Sequence, residues 1–208
     1  AAMKADPYGY KPLAGPQTVA IMFDKSSTRT RVSFCVGVAD LGGNPLVMES
    51  SSTQAGRGEP IADTARVLGR MTSAVVWRTY RQADLETMAE YSGVPVINSL
   101  SDDFHPCQIL ADWLTIKEHK GDLAGLTVAY VGDGANNMGQ SYVLGAATAG
   151  MHFRIGAPDG YQPGANVVAD ARIIAAETGG SITLTSDPIE AVSQADVVIT
   201  DTWVSMGQ

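Results

Sequence analysis

Short apolar runs alternate along the whole chain with stretches in which apolar positions recur every three or four residues. That alternation is the pattern of strand–helix–strand units laid on a parallel sheet. The apolar runs predict strands at Thr18–Asp24, Asn44–Glu49, Ala74–Arg78 and Pro95–Asn98, then at Thr127–Val131, His152–Gly156, Ser181–Thr185 and Val197–Thr200. The amphipathic stretches predict helices at Thr28–Leu41, Ile61–Met71, Ala83–Tyr91, Pro106–His119, Asn137–Ala149, Val167–Glu177 and Pro188–Ser193. Between His119 and Gly125, the segment HKGDLAG closes a long helix with basic residues and glycine, and the strand pattern then restarts. The expected organisation is α/β, with two parallel-sheet lobes spanning 1–120 and 121–208. The only loop long enough to look functional is Ser50–Glu59, SSSTQAGRGE, whose serines and glycines suit movement or reach towards a neighbour.

Composition narrows the class. A length of 208 residues allows one large or two modest domains, and 45% hydrophobic with 17% charged residues is ordinary globular usage. No apolar run approaches the roughly 18–20 residues of a membrane helix, and the opening AAMKADPYGYKPLAGP has no apolar signal core. A soluble, unexported protein is expected. Fourteen Lys plus Arg against 22 Asp plus Glu give a net charge of −8, without the basic stripe that nucleic acid needs. Cys35 and Cys107 are too few for a disulfide scaffold and too isolated for a zinc site, and they suit a reducing cytoplasm.

Five segments could carry chemistry. In Asp24–Arg31, DKSSTRTR, a predicted strand ends and a helix begins among hydroxyls and arginines. A helix start offers free N–H groups and about half a positive charge, and an arginine fork holds phosphate oxygens. Ser27 or Thr28 could instead simply cap the helix, but arginines oppose the dipole there unless an anion compensates them. In Asp102–Gln108, DDFHPCQ, His105 precedes the helix and Gln108 lies one turn on, so both could donate to one carbonyl oxygen. Cys107 reads as a small apolar residue rather than a nucleophile. Arg78 ends a predicted strand, the edge where ligands bind in open parallel sheets. The segment Val131–Gln140, VGDGANNMGQ, has Gly132 and Gly134 of a dinucleotide fingerprint but Asn137 in the third glycine position, which argues against a nicotinamide cofactor. Asn136 and Asn137 read instead as polar groups for a small ligand. In Asp201–Gln208, DTWVSMGQ, Asp201 could hold an ammonium group and Ser205-Met206-Gly207 could fold over an aliphatic stem.

Taken in this order, the segments resemble the ornithine carbamoyltransferases over essentially the entire chain. The first looks like that family's Ser-X-Arg-Thr-Arg carbamoyl-phosphate motif, a motif shared with the aspartate carbamoyltransferases. The resemblance implies a carbamoyltransferase-type fold whose second lobe is Rossmann-like. It maps Ser27, Thr28, Arg29, Thr30, Arg78, His105 and Gln108 onto carbamoyl-phosphate binding, with Arg29, Arg78, His105 and Gln108 catalytic. Gln54 resembles a residue that reaches carbamoyl phosphate across a subunit boundary, so a homotrimer, or a multiple of trimers, is implied. Asn137, Asp201, Ser205 and Met206 look like the residues that bind L-ornithine.

The implied reaction needs no metal, cofactor or covalent intermediate. Carbamoyl phosphate binds first, the neutral δ-amino group of ornithine attacks its carbamoyl carbon, an oxyanion forms facing His105, Thr30 and Gln108, and phosphate leaves on the arginines. Family members open with an amphipathic helix and continue to a His-Cys-Leu-Pro loop, a further Arg and a closing helix. None of these occurs between Ala1 and Gln208, so a fragment lacking the C-terminal part of the ornithine domain is expected. Carbamoyl transfer to aspartate or another amine, and carbamoyl-phosphate binding without turnover, are the competing expectations.

Overall fold

The computed structural model describes residues 2–49, 53–54 and 57–202. The chain divides into two compact units, Ala1–Asp102 and Asp103–Gln208. After a short helix α1 (Ala2–Ala5), the first unit runs β1 (Thr18–Phe23), α2 (Thr28–Asp40), β2 (Asn44–Glu49), α3 (Ile61–Met71), β3 (Ala74–Arg78), α4 (Gln82–Ser92) and β4 (Val96–Leu100). Its four strands are all parallel, in the order β2-β1-β3-β4. Strand β1 shows why it lies at the centre: both of its alternating faces are apolar. Ala20 and Met22 pack with Leu68 of α3 and Leu85 and Met88 of α4, while Val19, Ile21 and Phe23 pack with Val38 of α2.

The second unit opens with α5 (Pro106–Lys120) and continues β5 (Thr127–Val131), α6 (Asn137–Thr148), β6 (His152–Gly156), α7 (Ala165–Thr178), β7 (Ser181–Thr185), α8 (Pro188–Val192) and β8 (Val197–Ile199). Its sheet is also parallel, ordered β7-β6-β5-β8. One core gathers Val128 and Tyr130 of β5, Phe153 and Ile155 of β6, Tyr142, Val143 and Ala146 of α6, and Ala171 of α7. Ile109, Trp113 and Ile116 of α5 join the same core. The compact units part at 102/103, before α5, and the expected limit at 120/121 lies at the basic end and glycine that close that helix.

Both sheets contain a topological switch. From β1 the chain goes to β2 on one side and then to β3 on the other, and from β5 it goes through β6 and β7 before returning to β8. At such a point the loops leaving adjacent strands diverge, and the carboxyl ends are left open to a ligand. Phe23 and Arg78 end β1 and β3, and Val131 and Ile199 end β5 and β8. Eight strands and the seven longer helices match the sequence pattern to within two residues at each end. Among the described residues, no helix is long and apolar enough to cross a membrane.

Candidate functional site

In the first unit, the loop from β1 delivers Ser27 as the N-cap of α2, with its Oγ accepting from the Thr30 N–H at 3.3 Å. The capping reading of Ser27 thus holds, and the hydroxyl hydrogen stays available to a ligand because a hydroxyl both accepts and donates. Parallel pairing sets Arg78 beside Phe23, and Asp24 N–H donates to the Arg78 carbonyl oxygen at 2.9 Å. On the other side, the register with β4 slips between Trp77 and Arg78. Such irregularities re-aim a side chain at a strand end.

Arg78 is buried, at 6% exposure, and its Nη1 donates to Thr30 Oγ1 at 3.3 Å. Its Nε has no hydrogen-bond partner among the described residues. Burial, and then the neighbouring Arg29 charge, lower the Arg78 pKa, but an arginine stays charged. Among the described residues, no carboxylate forms an ion pair with Arg78 or Arg29. An unpaired buried charge costs several kcal/mol, so Arg78, with Arg29 close by at a helix N-terminus, has the charge to take up an anion.

The other cations of this segment are already committed. Arg31 pairs with Glu49 and lies 5.3 Å from the Phe23 ring centroid, which fastens α2 to the end of β2. Lys25 pairs with Asp102 and stands 4.3 Å over the Tyr80 ring. Thr28 and Arg29 are exposed on the first turn of α2. Gln54 is exposed, and its carbonyl oxygen accepts from Arg57 and Glu59 N–H at 2.9 and 3.1 Å.

In the second unit, His105 is the N-cap residue of α5, followed by Pro106 in the first helical position. The His105 N–H donates to Ser141 Oγ at 2.7 Å, and the Ser141 hydroxyl donates to the Asn137 carbonyl oxygen at 2.6 Å. Asn137 is the first residue of α6, capped by Asn136 Oδ1 accepting from Gly139 N–H at 2.9 Å. One turn into α5, Gln108 Nε2 donates to Asp112 Oδ1 at 3.0 Å. Cys107 between them is partly buried, and burial pushes its thiol pKa up, away from the thiolate a nucleophile needs.

Asp201 follows β8, near enough for its charge to act on Tyr130 and Tyr142. Burial pushes the Tyr130 phenol up to about 12, against the hydrogen bond from Asn136 and with the help of the Asp201 and Asp133 charges. Its hydroxyl donates to the Asp133 carbonyl oxygen at 3.0 Å. Ser205 and Met206 lie outside the described residues.

The structure also explains the broken glycine fingerprint. A Cβ on Gly139 would stand 2.3 Å from the Gly134 carbonyl oxygen, so the close approach of helix to strand loop is made at Gly139 and not at Asn137, the first residue of the helix. Ser141, Asp112 and Tyr142 escaped the sequence reading. Each lies three to five residues beyond a candidate on the same helix, and that spacing was the available signal.

The chain is similar to known proteins along its length. Residues 1–118 match the family model of the aspartate/ornithine carbamoyltransferase carbamoyl-phosphate-binding domain, and 124–208 match that of the aspartate/ornithine-binding domain. The chain is 65% identical to an ornithine carbamoyltransferase of Clavibacter sepedonicus over 206 residues, covering 99% of this chain and 67% of that one. Against the ornithine carbamoyltransferase structure from Pyrococcus furiosus the TM-score is 0.92 at 47% identity, covering 100% of this chain and 66% of the other. Against the anabolic ornithine carbamoyltransferase of Campylobacter jejuni it is 0.91 at 42% identity, covering 99% and 67%. The chain thus spans about two thirds of the length of these relatives. It belongs to the aspartate/ornithine carbamoyltransferase family, among the ornithine carbamoyltransferases.

Proposed function

We propose that this protein transfers the carbamoyl group of carbamoyl phosphate to the δ-amino group of L-ornithine, giving L-citrulline and phosphate for arginine biosynthesis. The observation that carries the reading is the buried Arg78, set against Thr30 and the Arg29 charge with no carboxylate paired to it among the described residues. A phosphate monoester brings about two negative charges, which match two guanidiniums and a helix start. Ser27, Thr28, Arg29, Thr30 and Arg78 take the phosphate in this reading, and Gln54 contributes from a neighbouring subunit. His105 and Gln108 serve the carbamoyl group, where a fixed donor to the developing oxyanion is worth on the order of 10²–10³ in rate. Asn137, Asp201, Ser205 and Met206 hold ornithine, with Asp201 on its α-amino group.

The chemistry suits this set of groups. Attack by a neutral amine forms the new C–N bond, the tetrahedral oxyanion collapses, the C–O bond to phosphate breaks with the leaving charge received by the arginines, and the surplus amine proton passes to the departing phosphate. Every step is heterolytic, so positioned donors and cations supply what the chain must provide.

A cytoplasmic homotrimer, or a multiple of trimers, completes the proposal. Support for assembly comes from apolar side chains left open on α2 and the edge strand β2, namely Val32, Val36, Leu46 and Val47. Light scattering that returned a monomer at assay concentration would remove the subunit-crossing role of Gln54.

An acceptor screen decides the activity. With carbamoyl phosphate and the complete chain, citrulline should form with ornithine and no carbamoyl aspartate with aspartate. Product from aspartate instead would overturn the acceptor assignment. Calorimetric binding of carbamoyl phosphate without turnover of any amine would favour the binding-only reading.

A further inference from the structure

The Asp112 carboxylate receives two hydrogen bonds, from Gln108 Nε2 at 3.0 Å and from the Tyr142 hydroxyl at 2.5 Å, one on each oxygen. Asp112 lies one helical turn beyond Gln108 on α5, and Tyr142 comes from the buried face of α6. Tyr142 is itself immobilised, with ring centroids 5.7 Å from Trp113, 5.6 Å from Tyr130 and 6.2 Å from Phe153. Its phenol remains protonated because burial, and then the Asp112 hydrogen bond and charge, raise its pKa far above neutrality. The hydroxyl is therefore a permanent donor, and an ionised carboxylate accepts only.

An accepting carboxylate has a chemical consequence for Gln108. It selects the nitrogen end of the side-chain amide, since the oxygen end would face it in repulsion. The carbonyl oxygen of Gln108 and one remaining N–H are then left to a ligand. An acceptor beside a donor is the complement of a primary carbamoyl group, which offers N–H beside C=O.

We infer that Asp112, fixed by Tyr142, is a positioning residue that holds the Gln108 amide in the orientation selective for a carbamoyl group over an acyl group lacking N–H. The inference rests on the proposal that Gln108 faces the carbamoyl end of carbamoyl phosphate. It extends the sequence reading, in which Gln108 is a donor only. A flipped amide would set Oε1 against the carbonyl oxygen of the substrate, and a buried polar mismatch of that kind discriminates strongly between ligands.

The test compares Asp112→Asn, Tyr142→Phe and Gln108→Ala in the complete chain. Affinities for carbamoyl phosphate, acetyl phosphate and inorganic phosphate are measured by calorimetry, with thermal unfolding as the control for folding. Carbamoyl and acetyl phosphate share the phosphate and carbonyl and differ in N–H against methyl. Wild type should prefer carbamoyl phosphate, and Gln108→Ala should erase the preference. Asp112→Asn and Tyr142→Phe should each lower it about tenfold, the loss expected for one hydrogen bond, and leave inorganic phosphate binding unchanged. If Gln108→Ala erases the preference but the other two keep it, the positioning role is overturned and the role of Gln108 survives. Retention of the preference by Gln108→Ala would overturn both. Equal weakening of all three ligands would mark Asp112 and Tyr142 as structural only and overturn the inference. Should Asp112→Asn fail to fold, Tyr142→Phe, which removes one oxygen and keeps the ring packing, decides alone.

Discussion

The backbone N–H of His105 is bonded to the side chain of Ser141 at 2.7 Å, across 36 positions of sequence. Since Ser141 also donates to the Asn137 carbonyl oxygen at 2.6 Å, one buried hydroxyl joins the cap of α5 to the first turn of α6. A residue proposed to serve the carbamoyl group and one proposed to hold ornithine are thereby set by the same atom. Ser141→Ala would leave the His105 N–H without this partner, at a cost of about 1–3 kcal/mol. A urea titration should show that loss as a lower midpoint with an unchanged slope. Turnover should fall by more than carbamoyl-phosphate binding, because the proposed role of the displaced His105 is on the reacting carbonyl. A variant with wild-type midpoint and turnover would show that the hydroxyl sets neither residue.

Arg78 makes the opposite prediction for stability. Replacing an uncompensated buried cation with an apolar side chain of similar length removes an unfavourable term, so Arg78→Met should be no less stable than wild type without ligand. Its phosphate affinity should drop about 10–100-fold, the equivalent of one charged hydrogen bond. Thermal unfolding with and without phosphate reads both effects, since a ligand bound only to the native state raises the midpoint. Marked destabilisation of the ligand-free variant, with full phosphate protection retained, would mean that Arg78 serves the fold instead of an anion.

Gly139 tests the packing beneath the α6 site. Alanine is the better helix former by about 1 kcal/mol. Here its methyl would meet the Gly134 carbonyl oxygen at 2.3 Å, a backbone atom that cannot swing aside. The clash should outweigh the propensity, giving a net loss of about 1–3 kcal/mol for Gly139→Ala in equilibrium unfolding. A gain in stability would show that the loop at Gly134 yields freely.

The contrast between Arg31 and Arg29 shows what was legible in the sequence. Both stand in one motif with the same local chemistry, and the strand-to-helix pattern placed both correctly at the start of α2. Which of them is free for an anion depends on Glu49, brought alongside by the pairing of β1 with β2, and pairing order is not written in any local window. Arg78 and Asp201 were readable as strand-end residues because the apolar runs before them are plain. That each ends beside the first strand of its sheet follows from the crossovers to β3 and β8. Asp112 and Tyr142 stayed hidden because their partnership joins two helices, whereas periodicity speaks for one at a time.

Asp201 carries the acceptor prediction. The carboxylate proposed to face the ornithine ammonium group is lost in Asp201→Asn with little change of volume, so the KM for ornithine should rise at least tenfold while that for carbamoyl phosphate stays within a few-fold. Steady-state kinetics with each substrate varied in turn gives both numbers. Equal effects on the two would count against an acceptor role for Asp201.

Tyr130 sets an alkaline limit on stability. Its phenol is fully buried, and folding raises its pKa from the ordinary value of 10.0 to about 12. Below pH 10 the hydroxyl is protonated both folded and unfolded, and its contribution is fully present. Between pH 10 and 12 the unfolded chain ionises first, so stability falls across that window, by about 2–3 kcal/mol for a two-unit shift. Above pH 12 the folded form ionises as well and the loss levels off. Tyr130→Phe cannot ionise, so urea midpoints measured from pH 9 to pH 12 should decline less steeply in the variant than in wild type. Because Tyr142 is also raised and keeps its hydroxyl, part of the decline should persist, and Tyr130→Phe combined with Tyr142→Phe should reduce it further, leaving the share of the raised Cys107 thiol. Parallel profiles for wild type and the double variant would show that the alkaline loss arises elsewhere in the chain.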